Sequence, residues 1–201
     1  MQYTKLNLAS SNIAAKLFPE PWLNVDSLPV PESTTAAYMQ TDIRRFPTEW
    51  TNQFHVVRAS HVLEHFYMDE LVPILNEWMR VLKPGGHLLI SVPDIIRCAR
   101  FILDGKDWKG RKSLSATEST AVMTQFLGWE YWKTDQEIGN IAMRHRMLFS
   151  EESLIELLGT LGLTSIEAYA SADDPATRLG FHDDSQNIFS MSVSAQKPLE
   201  S

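Results

Sequence analysis

Two aspartates, a short run of small residues and a Ser-His pair occur in this chain directly after stretches that read as strands. Ala9-Ser10-Ser11 follow residues 4–8, Asp26 follows 22–25, Asp42 follows 38–41, and Ser60-His61 follow 55–59. An acid at such a strand end can accept both hydroxyl protons of a ribose. A second acid can accept from the amine of an adenine, and small residues let the main chain approach a ligand closely. Ligands of open parallel sheets bind beyond the carboxyl ends of the strands, near the reversal of strand order. Taken singly, each residue has a plainer use. Asp26, before Ser27 and close to Pro29, suits a turn, and Asp42 can cap a short helical turn or pair with Arg44 or Arg45. Their succession in strand order is what points to a shared site.

The elements that must position these residues alternate between strand-like and helix-like patterns, which predicts a parallel sheet with flanking helices. Residues 4–8, 22–25, 38–41 and 55–59 are the first four strands. Only a short helix near 13–18, or an irregular turn, fits between the first two. Residues 67–82 carry apolar side chains at 71, 74, 75, 78, 79 and 82, the spacing of one helix face. Lys83-Pro84-Gly85-Gly86 should stop that helix, because proline cannot continue it and glycine supplies the positive φ of a tight turn. Residues 87–92 are nearly all apolar, as a strand buried on both faces requires. Residues 95–103 and 115–127 look helical, with a polar loop over 104–114. Ser150 with Glu151 and Glu152 starts a helix, with Leu154, Leu157, Leu158 and Leu161 as its buried stripe and Gly162 as its end. Residues 165–169 and 188–195 read as closing strands, the second alternating apolar residues with serines. A polar loop spans 171–186.

The chain has 201 residues, 44% hydrophobic and 21% charged, the balance of one globular domain. No stretch approaches the roughly 20 apolar residues of a membrane span, and no signal peptide is read at the start. A net charge of −7 disfavours a nucleic-acid partner. The basic cluster at 106–112 reads as a solvated loop. Cys98, the single cysteine, permits no internal disulfide and no multi-cysteine zinc site. These features favour the cytoplasm.

The same residues carry a family resemblance. Leu6-Asn7-Leu8-Ala9-Ser10-Ser11, Trp22-Leu23-Asn24-Val25-Asp26 and Thr41-Asp42-Ile43-Arg44-Arg45-Phe46-Pro47 resemble successive motifs of class I methyltransferases of the type 11 group. Ala59-Ser60-His61-Val62-Leu63-Glu64-His65-Phe66 and Arg80-Val81-Leu82-Lys83-Pro84-Gly85-Gly86-His87-Leu88-Leu89-Ile90 resemble it most closely. The resemblance is detailed over residues 5–94 and looser beyond. It implies a Rossmann-like α/β/α sandwich whose seven-stranded, mostly parallel sheet ends in an antiparallel strand. The expected layout is one domain over 1–201, with the cofactor half over about 1–94 and substrate-side insertions and closing strands over 95–201. The resemblance also implies S-adenosyl-L-methionine as cofactor. Its methionine part would lie against Ala9, Ser10 and Ser11, its ribose on Asp26 and its adenine beside Asp42 and Ile43, with Ser60 and His61 lining the floor near the sulfonium. The implied activity is methyl transfer to a small molecule or to a sugar of a glycan, with a homodimer allowed. The family usually has glycine where this chain has Ala9 and Ser11. Each added Cβ could narrow the cofactor site, so a non-catalytic binding module or partner subunit on the same fold is the alternative.

The histidines complete the expectations. The family often places a histidine and a basic residue where Arg144-His145-Arg146 stand, over the cleft on the acceptor side. His145 could there take a proton from a hydroxyl or amine acceptor, and Arg144 or Arg146 could bind an acidic group on it. The plainer reading is that His145 satisfies loop carbonyls. His61-Val62-Leu63-Glu64-His65 matches the H-x-x-E-H pattern of inverted zinc peptidases. That pattern needs both histidines on one helix face, whereas His61 directly follows a strand, so no metal is expected. Glu64 and His65 are expected to anchor the loop by hydrogen bonds. His55, His87 and His182 look structural or exposed. The aromatic stretch 126–132 could stack on a sugar or flat ring, although core packing explains it as well.

Overall fold

The computed structural model describes residues 2–10, 17–30, 34–104, 145–169 and 190–199. Among them run seven strands: β1 (Lys5–Leu8), β2 (Trp22–Asp26), β3 (Tyr38–Gln40), β4 (Phe54–Ser60), β5 (Leu82–Pro93), β6 (Thr164–Tyr169) and β7 (Ser190–Gln196). They form one sheet in the order β3-β2-β1-β4-β5-β7-β6. The first five are parallel, and β7 runs antiparallel to both β5 and β6. This is the Rossmann-like architecture that the resemblance implies.

Among the described residues, three α-helices accompany the sheet: α1 (Met68–Val81), α2 (Ile95–Leu103) and α3 (Glu151–Thr160). In α1 the apolar spacing becomes a buried stripe of Leu71, Ile74, Leu75, Trp78 and Val81. It joins Leu6, Leu8, Val57, Leu88 and Ile90 of the sheet in the main core. The opposite face of the sheet holds a smaller cluster of Trp22, Val56 and Leu89, with Phe18 against it. Ser150 caps α3, its hydroxyl accepting from Ser153 N–H at 3.2 Å. Leu154 and Leu158 are fully buried, while Leu157 and Leu161 pack at the margin of the core. Gly162 follows at φ +84°.

Two expectations are modified. Lys83-Pro84-Gly85-Gly86 is not a turn before the strand. The helix stops at Val81, Leu82 is already extended, and β5 runs unbroken to Pro93. The Gly pair is a bulge within it: Phe54 pairs with Leu82 but Val56 with His87, and Gly85 lies at φ +75°. A Cβ on Gly86 would stand 2.9 Å from the Lys83 carbonyl oxygen and 3.1 Å from that of His55, so the bulge needs glycine there. The alternation in β7 does not mark a solvent face either, since Ser190, Ser192 and Ser194 are as buried as Met191, Val193 and Ala195. β7 is an interior strand, and its serines are accommodated by hydroxyl partners such as Ser91, 2.7 Å from Ser192 Oγ.

A buried polar strip crosses three strands. Arg58 Nη1 donates to Asn7 Oδ1 and Asn7 Nδ2 donates to Asn24 Oδ1, both at 3.0 Å. Asn24 Nδ2 donates to the Phe18 carbonyl at 2.9 Å and its Oδ1 accepts from Phe18 N–H at 3.0 Å. The strip fixes the end of the β1–β2 connection against the sheet. The expected helix over 115–127, the basic cluster at 106–112, the aromatic stretch 126–132, the loop 171–186 and most of the expected helix near 13–18 lie outside the described residues.

Candidate active site

The strand register assembles the site. Leu8 pairs with Val25 on one side and with Ala59 on the other, so Ala9, Asp26 and Ser60 stand one residue further on three adjacent strands. Strands lie about 4.8 Å apart in a sheet. Asp26 in turn pairs with Gln40, and Ser60 with Ser91. The order reverses between β1 and β4, the switch point at which ligands of such sheets bind.

Ala9 leaves β1 at φ +47°. An L-residue with a Cβ pays about 1–2 kcal/mol there, yet the chain takes this left-handed step where the resembling family has glycine. Ser10 then ties the turn back to β2, its N–H donating to the Val25 carbonyl at 3.1 Å and its hydroxyl at 3.4 Å. Ser11 lies outside the described residues. Asp26 is buried at 7% exposure. Its Oδ1 accepts from Leu28 N–H at 3.0 Å and from the Ser27 hydroxyl at 3.4 Å. Its turn role and its strand-end position therefore coexist. Beside it, burial and the Asp26 charge push the Tyr38 phenol up to about 12, and that hydroxyl donates to the Leu28 carbonyl at 3.0 Å.

Asp42 and Ile43 lie further out, beyond β3. Asp42 is half exposed and turned onto Arg44, whose Nη2 is 2.8 Å from Oδ2. Hydrogen bonding to Arg44 holds its carboxyl below the usual carboxylate range. Ile43 packs against the core, and its carbonyl accepts from Trp78 Nε1 at 2.9 Å. The structure thus brings Ala9, Ser10, Asp26, Ser60 and His61 to one edge, with Asp42 paired to its own neighbour at the margin.

Past β4, His61 sits at φ +53° and its N–H donates to the Ser91 carbonyl at 2.8 Å. Its Nδ1 is 3.2 Å from Glu64 Oε1 and its Nε2 is 3.0 Å from Ser190 Oγ. Residues Leu63–His65 form a 3-10 turn. The two histidines of the H-x-x-E-H motif therefore share no helix face, and the inverted zinc peptidase arrangement is absent. Glu64 is 1% exposed, and its Oε2 has no hydrogen-bond partner among the described residues. His145 returns from far along the chain to place Nε2 4.0 Å from Glu64 Oε1, with its ring 5.0 Å from that of His65 and inclined at 69°. Backbone bonds fix this return: the N–H groups of Arg146 and Met147 donate to the Glu64 carbonyl at 2.7 and 3.1 Å. Arg146 Nη1 donates to the His65 carbonyl at 3.1 Å, and its guanidinium lies 4.5 Å over the Tyr67 ring. Glu64 and Arg146 therefore anchor the loop. Ser190 and Tyr38 were not legible as site neighbours. Their only signal is register, which a single sequence does not display.

Residues 5–90 match the family described as "Methyltransferase domain". The match takes in β1 to β4, α1 and most of β5. No curated protein matches it by sequence. Among solved structures, this chain is similar to 1,6-didemethyltoxoflavin-N1-methyltransferase of Burkholderia thailandensis, with bound S-adenosylhomocysteine. The identity is 15% and the TM-score 0.55, over 97% of this chain and 71% of that one. A SAM-dependent methyltransferase from Archaeoglobus fulgidus has 12% identity and a TM-score of 0.52, over 97% and 86%. Haemonchus contortus phosphoethanolamine N-methyltransferase 2, in complex with S-adenosyl-L-methionine, has 16% identity and a TM-score of 0.51, over 98% and 50%. At these identities the likeness establishes the fold. No helix among the described residues is long and apolar enough to cross a membrane.

Proposed function

We propose that this methyltransferase domain binds S-adenosyl-L-methionine at the switch point and methylates a small molecule, with a sugar hydroxyl among the candidate acceptors. The observation that carries the reading is the rank of Ala9, Asp26 and Ser60 at adjacent strand ends, with a left-handed backbone step and a buried carboxylate in it. The residues fit the cofactor. Asp26 supplies an acceptor for ribose hydroxyls. The turn at Ala9–Ser10 brings main chain to the methionine side, and Ser60 and His61 form the floor. Asp42 and Ile43 are the adenine-side candidates. Bound S-adenosylmethionine supplies a methyl group on a positively charged sulfur, open to in-line displacement by an acceptor oxygen or nitrogen. The protein's contribution is orientation and exclusion of water. His145, half-buried beside Glu64, is the candidate to hold the acceptor's proton. The net charge of −7 supports a neutral or cationic acceptor over a polyanion. The single cysteine, fully buried, is in keeping with a cytoplasmic setting.

Calorimetric titration with S-adenosylmethionine and S-adenosylhomocysteine tests the reading. Saturable heat is expected, and Asp26→Ala should weaken binding by about 10–100-fold, the worth of hydrogen bonds to a charged group. Unchanged affinity in that variant refutes the ribose assignment. Absence of heat, together with absence of a thermal shift at millimolar ligand, would leave a non-catalytic relative.

A further inference from the structure

We propose that Glu64, His65 and His145 form a binding site for one divalent transition-metal ion. A ligand atom from each of the three lies within 4.8 Å of the other two. Two imidazoles and one carboxylate are a donor set that zinc and ferrous ions take, with a position left for water or substrate. A four-coordinate zinc holds nitrogen and oxygen donors about 3.3 Å apart, from bonds of 2.0–2.1 Å. The cluster therefore needs a contraction of the ligand atoms from that spread.

The second observation is Glu64 itself. A carboxylate at 1% exposure with Oε2 lacking a hydrogen-bond partner among the described residues is costly. A buried charge is normally paired or coordinates a metal. The other oxygen, Oε1, has His61 Nδ1 at 3.2 Å and His145 Nε2 at 4.0 Å. The scaffold is rigid where it must be. Glu64 and His65 occupy one 3-10 turn, and the residue after His145 is held to that turn by the bonds from Arg146 to the carbonyls of Glu64 and His65. A ligand set stitched by backbone hydrogen bonds is preorganised in the sense a metal site requires.

This set differs from the H-x-x-E-H reading, because His61 is outside it and the distant His145 takes its place. The inference stands on its own geometry and does not depend on methyl transfer. Should both hold, a metal here would bind an acceptor oxygen and lower its pKa, its proton passing to solvent. His145 would then serve the acceptor through the metal.

The full chain, stripped with chelator and then dialysed, is titrated with Co(II) and Zn(II) alone. The expected result is one Co(II) per chain with the intense visible bands of a four- or five-coordinate ion, displaced by Zn(II). Glu64→Gln and His145→Asn should each weaken binding by at least about 100-fold, as loss of a direct ligand must exceed the 10–100-fold seen for outer partners. His61→Asn should still bind. Absence of saturable binding below millimolar metal overturns the site, as do affinities unchanged in both ligand variants. Loss confined to His61→Asn does the same, since it moves the ion to a different set. Circular dichroism verifies each variant's fold. Should Glu64→Gln fail to fold, His145→Asn, on an irregular segment, decides alone. S-adenosylmethionine titration of the chelated protein separates failure of this site from failure of the methyl-transfer reading.

Discussion

Ala9 stands where the family that the sequence resembles usually has glycine. Its φ of +47° is a glycine conformation borne by a residue with a Cβ. Ala9→Gly should therefore relieve about 1–2 kcal/mol of backbone strain, offset by the roughly 0.5–1 kcal/mol that glycine's extra freedom adds to the unfolded state. A net gain of about 0–1.5 kcal/mol in urea unfolding is expected, with cofactor affinity kept or improved. Ala9→Val should lose more than about 1 kcal/mol, because a branched Cβ is a true outlier at positive φ. Equal stability of the glycine and valine variants would show that the strain is absent. The sequence could flag Ala9 as a departure, but not its left-handed backbone. Cys98 is a second residue-scale case. It is buried, and burial first, then the Asp94 charge, pushes its thiol up to about 12. At neutral pH it should be silent to a thiol reagent in folded protein and react fully in denaturant. Rapid labelling of the native chain would contradict this.

Among the elements, α1 was the most legible, because its apolar spacing marks the face that is buried. What the pattern could not show is how α1 holds the β3–β4 connection. Glu77 accepts from Phe46 N–H at 2.6 Å and from Arg80 Nη2 and Nε at 2.7 and 2.8 Å. Hydrogen bonding from Arg80 holds its carboxyl below the ordinary 4.5. The unfolded chain thus binds this proton more readily than the native one. The contribution is full above about pH 4.5 and is lost as pH falls through the lower native value. Glu77→Gln should cost about 1–2 kcal/mol at neutral pH, and the gap to wild type should narrow in acid. A gap that persists unchanged at low pH would mean that packing, not charge, carries the effect. The less legible elements share a physical cause. The Gly85-Gly86 bulge depends in part on the His55 carbonyl of the neighbouring strand, and β7 reads as half-polar because its serines find partners about a hundred residues away. The same holds for the Glu64 environment: the motif 61–65 was visible, but Ser190 and His145 reach it only through the tertiary fold.

At the scale of the molecule, the last strand to be made is the one that closes the sheet. β6 meets the other strands only through β7, and β7 lies between β5 and β6. Lys197, just past the end of β7, links this late arrival to the first half. Its Nζ donates to the carbonyls of Met79 and Leu82 at 2.9 and 2.8 Å and to Asn52 Oδ1 at 2.7 Å. Its main chain exchanges bonds with Gly85 and Gly86, both at 2.9 Å. An ammonium on the free carbonyls at a helix's end satisfies acceptors that the helix cannot, and it lies at the negative end of the dipole. Hydrogen bonds to a charged group are worth about 1.5–3 kcal/mol. Lys197→Met, which keeps the stem, should therefore lower stability by about 2 kcal/mol. It should also speed amide exchange in β6 and β7 before it does so in β1 and β4, because the released hairpin can open without disturbing the switch point. Cofactor affinity should fall only modestly, since Ala9, Asp26 and Ser60 stand at strand ends on the other side of β5 and the floor meets β7 through the His61–Ser190 contact. If exchange instead accelerates uniformly across all strands, the sheet unfolds as one unit, and the two halves are not separable in the way this linkage requires.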